Sequence, residues 1–390
     1  NYYAVGYNYL RLNEEGIWEM YLEGSSYERG LAYGALTKDL NNYQEEVFVA
    51  SINNFVPKGL FQDILKIFVS FFNADIPKHI PDEYQKELYG ISRTFSDEFD
   101  YIGSKYSRIL NYHAAHDLGH ALNDYSVVGC TSFAVNGSKT PDGNLIVGRN
   151  FDFYIGDDFA KNKILMVMKP ATGYAFASVS WAGYMGVSSG LNTEQISVTI
   201  NASKSDLPTG AKTPIGLLAR EILQYAKNID EAIKIAKSRQ VFVAETIMVT
   251  SGKENKAVLI EISPKKFGVK HMDGNQLICS NHYQSDTYRN DSNNIKNIAQ
   301  SDSKYRFDRM QTLINDHKQI DASTSASFLR DQMSVDNDTL GMGNPRAINQ
   351  LLAHHSVVIK PANSLLYVSA KPYQLGKYSG LNLEKSVMQR

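Results

Sequence analysis

The stretch Val127-Val128-Gly129-Cys130-Thr131-Ser132-Phe133-Ala134-Val135, answered further on by Val147-Gly148-Arg149-Asn150-Phe151-Asp152-Phe153, organises the chain. Residues 130 to 136 alternate as a strand does. Asn136 to Asn144 holds Gly137, Pro141 and the turn pair Asp142-Gly143, and Leu145 to Phe151 is apolar again. This predicts a β-hairpin with a longish loop. Pairing Gly137 with Asn144 sets Cys130 opposite Phe151, which leaves Arg149 and Asp152 within about two residues of the thiol, a reach of roughly 7 Å at strand rise. Positions 149 and 152 differ by an odd number, so a regular strand sends them to opposite faces. A bulge or the strand end must therefore intervene.

The chemistry of this set is coherent. A thiol becomes a good nucleophile when a base removes its proton, and a nearby cation lowers its pKa. Cutting the Gly129–Cys130 peptide bond would free an α-amine with a reference pKa of about 7.7 to 8.0, suited to act as that base. Asp152 would hold the amine and Arg149 would favour the thiolate. Gly129 suits such a cut because, lacking Cβ, it tolerates strained backbone beside an attacking sulfur. The plainer reading, a buried core thiol beside an ordinary Arg149–Asp152 ion pair, stays open on the hairpin alone.

Further segments carry a family likeness. Gly129-Cys130-Thr131-Ser132, Gly148-Arg149-Asn150-Phe151-Asp152, Gly190-Leu191-Asn192 with Val198-Thr199-Ile200-Asn201, Ser280-Asn281-His282-Tyr283, and Tyr305-Arg306-Phe307 with Arg309 follow one another along the chain. Gly24-Ser25-Ser26-Tyr27-Glu28-Arg29-Gly30 with Gly34 precedes them. In content and order they resemble the N-terminal nucleophile (Ntn) hydrolases of the linear-amide type: choloylglycine hydrolases, acid ceramidase relatives and, most closely, isopenicillin N acyltransferase-like autoproteolytic enzymes. The resemblance implies Cys130 as nucleophile, its freed amine as proton acceptor, and Arg149 and Asp152 as the groups that orient both. It also implies Asn201 as oxyanion donor, Asn281 as the group binding the α-amine or scissile amide, and Arg306 as completing the charged network. His282 departs from the choloylglycine pattern, which tends to have a second Asn. Taken alone, Asn201 and Asn281 read as strand-end or turn residues and Arg306 as a solvated helix residue.

Around this hairpin, the 390 residues with 43% hydrophobic content suffice for a large core. Forty basic and forty-one acidic residues leave a net charge of −1, which suggests neither nucleic acid nor an anionic membrane as partner. Two cysteines, Cys130 and Cys279, make no disulfide framework, and Cys279 in Leu277-Ile278-Cys279-Ser280 reads as inert strand packing. The longest apolar run, Ile64 to Phe72, is too short to span a membrane. The sequence starts at Asn1 without Met or signal peptide and reads as truncated, with an exported, cell-envelope address as the working expectation.

Helical periodicity runs over Glu28 to Phe55, Leu60 to Phe72, Asp82 to Phe99 and Tyr101 to Leu122. Strands are expected at 130–136, 145–151, 164–169, 174–181, 195–202, 245–251, 256–262, 267–272, 356–360 and 364–369, and helices at 214–227, 229–239, 304–315 and 323–333. Long strand series interrupted by helix pairs fit two packed sheets flanked by helices, the αββα sandwich that the resemblance also implies. The expected organisation is a mainly helical pro-segment, 1–129, and a core, 130–390.

Two other groups stand out. His113, His116, Asp117 and His120 lie on one helix, with His116 and His120 on one face at metal-ligand spacing. No Glu between them and no further cluster completes a metal motif, so they are read as lining the joint between pro-segment and core. Trp181 and Tyr184, in a glycine-rich loop after a strand, are either core edges or the wall of an acyl pocket.

The expected function is an autoprocessing N-terminal cysteine amidohydrolase or acyltransferase. It would take a small-molecule N-acyl amide through a Cys130 thioester, without metal or organic cofactor, and a homo-oligomer is left open. Alternatives are a conjugated bile-salt hydrolase, disfavoured by the residues preceding Cys130, and a non-catalytic envelope or binding protein that kept the fold.

Overall fold

The computed structural model describes residues 1–55, 75–122, 129–206, 210–369 and 371–388. The helix expected at Leu60 to Phe72 lies outside them. In chain order the first segment supplies β1 (Tyr2–Val5), β2 (Asn8–Leu12), β3 (Trp18–Gly24), α1 (Ser26–Leu36), α2 (Lys38–Phe55), α3 (Asp82–Ser92) and α4 (Lys105–Leu122). Then come β4 (Thr131–Val135), β5 (Ile146–Asp152), β6 (Ile164–Pro170), β7 (Phe176–Ser180), β8 (Ser189–Asn192), β9 (Ile196–Ala202), α5 (Ile215–Tyr225) and α6 (Ile229–Lys237). The chain continues with β10 (Glu245–Ser251), β11 (Lys256–Ile262), β12 (Phe267–His271), β13 (Gln276–Cys279), α7 (Ser292–Gln300), α8 (Ser303–Asp316), α9 (Ala322–Leu329), β14 (Ala353–Lys360), β15 (Leu365–Ser369), β16 (Tyr378–Asn382) and α10 (Leu383–Met388).

Two sheets result. Among the described residues, one has ten strands in the order β1-β2-β3-β6-β7-β8-β9-β10-β11-β12, the other six in the order β13-β4-β5-β14-β15-β16. Alternation along each strand divides its side chains between two cores. Ala134 and Val147 meet Leu165, Val179, Met248 and Leu259 between the sheets. The intervening Phe133, Val135 and Ile146 face Met310 and Ile314 of α8 and Phe328 of α9. Ile247 and Val249 turn from the ten-stranded sheet toward the helices on its other side, among Leu88 of α3, Ile109 of α4 and Leu218 of α5. The layers are therefore helix, sheet, sheet, helix, an αββα sandwich. Burial on both faces explains why β4 and β5 have no exposed residue.

The first segment is less purely helical than its sequence pattern suggests. Its three strands extend the larger sheet, and β3 pairs parallel with β6 from Trp18↔Ile164 to Gly24↔Pro170. β1 is exposed along its whole length, so it shows no apolar period to read. The single helix expected over Glu28 to Phe55 is interrupted at Thr37, whose Oγ1 donates to the Tyr33 carbonyl at 2.7 Å. The glycines of α1 have a packing role: a Cβ on Gly30 would stand 2.1 Å from the Glu87 carbonyl oxygen, and one on Gly34 3.0 Å from that of Ile91. They let α1 and α3 cross at backbone contact.

Candidate active site

The hairpin register is Thr131↔Asn150, Ser132↔Arg149 and Phe133↔Gly148, which sets Cys130 opposite Phe151 as the turn chemistry predicts. Strand alternation then decides what each side chain meets. Cys130, Ser132, Arg149 and Phe151 share the face toward the other sheet, and the Arg149 guanidinium lies 4.3 Å from the Phe151 ring centroid. Asn150 turns the other way, where its Nδ2 donates to the carbonyls of Leu329 at 2.8 Å and Ile348 at 3.0 Å. Asp152 ends β5, where β14 changes register between Ala353 and His355. Both the strand end and a bulge thus fall at the position where parity required one.

Cys130 is fully buried. Its Sγ is 3.8 Å from Arg149 Nη2 and 3.8 Å from the Asp152 carbonyl oxygen. Burial pushes the thiol up to about 11, with Arg149 pulling it down and Asp152 raising it further. Arg149 also donates from Nη1 to Ser189 Oγ at 2.7 Å and from Nη2 to the Ile200 carbonyl. The Asp152 carboxylate is completely buried, and neither oxygen has a hydrogen-bond partner among the described residues. Burial carries this carboxyl up to about 7, against the pull of Arg306 and Arg149.

The remaining predicted residues surround this centre. Asn201 accepts from Ser132 Oγ at 3.2 Å and gives its amide hydrogens to the carbonyls of Cys279 at 3.4 Å and Ser280 at 3.0 Å. Asn281 donates to the Ala202 carbonyl at 2.8 Å and accepts from Arg306 Nη2 at 2.6 Å. His282 shares Ser303 Oγ at 2.8 Å and is pushed down to about 4 by burial. Trp181 and Tyr184 stack at 4.2 Å and belong, with Phe48, Phe151, Phe153 and Phe159, to one aromatic cluster that includes Cys130. Phe48 comes from α2, so the first segment supplies part of this cluster.

That segment also reaches the core through α4. Met185 N–H donates to His113 Nε2 at 2.8 Å, leaving the Nδ1 proton for the Ile109 carbonyl, also at 2.8 Å. Asp117 accepts from Ile215 N at 2.9 Å at the start of α5. The side chains of His116 and His120 lie outside the described residues, and no group of three metal-ligating side chains gathers among those described.

Several residues around Arg149 and Gly129 carry no local sequence signal. Ser189 Oγ lies 2.9 Å from His355 Nε2, and His355 Nδ1 lies 2.9 Å from His354 Nδ1. Gln350 Nε2 donates to the Gly129 carbonyl at 3.4 Å. Ser132 was findable, two residues from Cys130 on one strand face. Gln350, His354 and His355 come from a segment brought in by tertiary register, which no local spacing announces.

The chain is 28% identical over 274 residues to an uncharacterized protein of Archaeoglobus fulgidus, covering 66% of this chain and 45% of that one. It is 27% identical over 223 residues to the N-acylethanolamine-hydrolyzing acid amidase of Caenorhabditis elegans, covering 54% and 58%. The chain thus spans about half the length of the curated relatives it matches. Among solved structures, the C. elegans N-acylethanolamine-hydrolyzing acid amidase ortholog superposes with a TM-score of 0.42 at 19% identity, over 60% of this chain and 93% of that one. No helix among the described residues is long and apolar enough to cross a membrane. A family model matches residues 138–339, just over half of the 390 residues, and by that match the chain belongs to the acyl-coenzyme A:6-aminopenicillanic acid acyl-transferase family.

Proposed function

We propose that this protein is an autoprocessing N-terminal cysteine amidohydrolase or acyltransferase, cut between Gly129 and Cys130 into fragments 1–129 and 130–390. The observation that carries this reading is the Asp152 carboxylate, buried with no hydrogen-bond partner among the described residues, close to a Gly–Cys peptide bond. A buried anion without a donor is costly. A new ammonium at Cys130 would supply both the charge and the donors, because the residues on either side of the bond already lie against Asp152: Gly129 N–H donates to its backbone carbonyl at 3.2 Å, and Cys130 Sγ is 3.8 Å from the same oxygen.

Cys130 Sγ attacks the Gly129 carbonyl carbon, the C–N bond to Cys130 breaks, and the thiol proton passes to the departing nitrogen. Water then cleaves the resulting thioester, leaving a Gly129 carboxylate and a free Cys130 amine. In turnover, that amine takes the thiol proton, Arg149 favours the thiolate, and the substrate acyl group is carried as a thioester to water or an acceptor amine. Asn201 donates to the oxyanion after giving up a present backbone partner, and Asn281 binds the freed α-amine or the scissile amide. Arg306 holds Asn281 and faces Asp152, while Trp181 and Tyr184 wall the acyl group. The likeness to an acid amidase supports a small N-acyl amide as substrate.

Denaturing mass spectrometry tests the cut, with fragments of 129 and 390 − 129 = 261 residues expected from the wild-type chain. Cys130→Ala should stay whole and release no amine from a panel of N-acyl amides. An active chain of undivided mass, or a cut Cys130→Ala, would refute the reading.

A further inference from the structure

We infer that the side-chain amide of Gln350 is the hydrogen-bond donor that stabilises the oxyanion formed on Gly129 during self-cleavage, a role distinct from that of any substrate-facing asparagine. The inference rests on the proposed cut at Gly129–Cys130. Gln350 is 3% exposed, and its Nε2 points at the Gly129 carbonyl oxygen from 3.4 Å. Asn201 has both amide hydrogens engaged at the carbonyls of Cys279 and Ser280, and Asn281 donates to that of Ala202.

The contact is built in from both sides. On the substrate side, a Cβ on residue 129 would stand 2.9 Å from Gln350 Nε2 and 3.2 Å from its Oε1. Any larger residue would push the amide off the carbonyl, which gives Gly129 a second function besides tolerating strain. On the enzyme side, the segment carrying Gln350 is pinned at successive backbone groups. Arg306 Nη1 donates to the Pro345 carbonyl at 2.8 Å and Asn150 Nδ2 to that of Ile348 at 3.0 Å. Asn349 N–H donates to the Asp331 carbonyl at 2.9 Å, and Ala353 N–H to that of Gln350 at 3.3 Å. A neutral donor held rigidly at long range gains little from the resting carbonyl. It gains far more once attack by sulfur places a full charge on that oxygen, which is the preference for the transition state that catalysis requires.

The balance of the step is unchanged by this donor. The S–C bond forms, the C–N bond breaks, the thiol proton goes to nitrogen, and Gln350 keeps its own hydrogens throughout.

The test follows conversion of freshly purified full-length chain into its two fragments, in wild type, Gln350→Met and Gln350→Glu. Both variants keep the side-chain length and lose the N–H donor. Cleavage should slow by about 10² to 10³-fold, the loss typical of one oxyanion donor, with the thermal midpoint of Gln350→Met unchanged. A general loss of structure would lower the thermal midpoint of Gln350→Met along with the cleavage rate, whereas loss of the donor alone slows the cleavage and leaves the midpoint in place. If Gln350→Met does not fold, Gln350→Glu carries the measurement at a pH high enough to ionise its buried carboxyl, since a protonated carboxyl would donate in place of the amide. Cleavage of either folded variant within about threefold of wild type would overturn the role of Gln350 alone. A wild-type chain that stays whole would overturn the cleavage reading, and this inference with it.

Discussion

Two buried clusters each set a carboxylate between two guanidinium groups, and they are finished to different degrees. Glu87, on α3, accepts from Arg29 Nε at 3.0 Å and Nη2 at 2.7 Å, and from Arg220 Nη2 at 3.0 Å, with Arg220 Nη1 on its other oxygen. Asp152 stands in the field of Arg306 and Arg149 with neither oxygen hydrogen-bonded among the described residues. Burial raises the pKa of both carboxyls. At Glu87, Arg220 and Arg29 outweigh it and hold the group below its usual value. At Asp152 the two arginines fall short, and the group rises to about 7. Contact therefore decides the outcome, since the number of nearby charges is the same. The closed cluster ties α1 and α3 of the first segment to α5 of the core, whereas the open one lies where the proposed cut would deliver a positive charge.

The largest effect is expected from breaking the closed cluster. Glu87→Gln leaves two buried guanidinium groups facing each other without their anion, and should cost about 3 to 5 kcal/mol of stability by denaturant unfolding. The pH dependence has a definite sign. A pKa lowered in the folded state adds stability above the unfolded value of 4.5, and that stability is lost as pH falls through the folded value. The penalty should stay full from about pH 7 down to about pH 5 and shrink only below that. A penalty under about 1 kcal/mol would show that the cluster is not a clasp, and would remove the contrast with Asp152.

Asp152→Asn, measured in uncut Cys130→Ala chain, should act in the opposite direction. A carboxyl raised from 3.8 to about 7 on folding costs nothing below the lower value, costs increasingly between the two, and costs a constant amount above the higher. The substitution should therefore stabilise the uncut chain by on the order of 2 to 4 kcal/mol above pH 7, a gain that declines toward pH 4. In cut protein the same change should destabilise, because the freed amine would have lost its anion. Thermal or denaturant midpoints of the two forms across pH check both signs. A stabilisation that survives cleavage would mean that Asp152 never receives the amine.

The sequence made the hairpin legible because its turn residues and the two-residue strand period are local, and together they determine which residue faces Cys130. They also exposed the parity conflict between Arg149 and Asp152, which the strand end and the bulge of β14 resolve. The outer layers were legible through helical periodicity, apart from the break at Thr37 and the helix expected over Asp82 to Phe99, which ends at Ser92. Less was readable where burial and composition diverge. β1 is an exposed edge strand with no apolar rhythm, and α7, Ser292–Gln300, buries Asn294 and Asn297 instead of an apolar stripe. The closed cluster was invisible, since Arg29, Glu87 and Arg220 meet only after three helices pack. Gln350 was hidden for the same reason.

A third buried group sets the scale for both clusters. Cys279 pairs with Ser132 on the strand beside β4, is fully buried, and packs between the sheets with its Sγ 3.5 Å from the Ser280 carbonyl oxygen. Burial, which comes first among its influences, drives its pKa well above the ordinary thiol value, so it is kept neutral with no anion to stabilise. Removing a neutral atom from a packed core leaves only a small cavity and a few lost contacts. Cys279→Ala should accordingly cost about 1 kcal/mol, the same at every pH between the two carboxyl titrations, with the cut at Gly129 undisturbed. Unfolding curves alongside fragment masses check this. If Cys279→Ala instead blocked the cut, the reactive centre would extend across β4 to β13, and the boundary drawn here between a thiol that reacts and one that merely packs would be wrong.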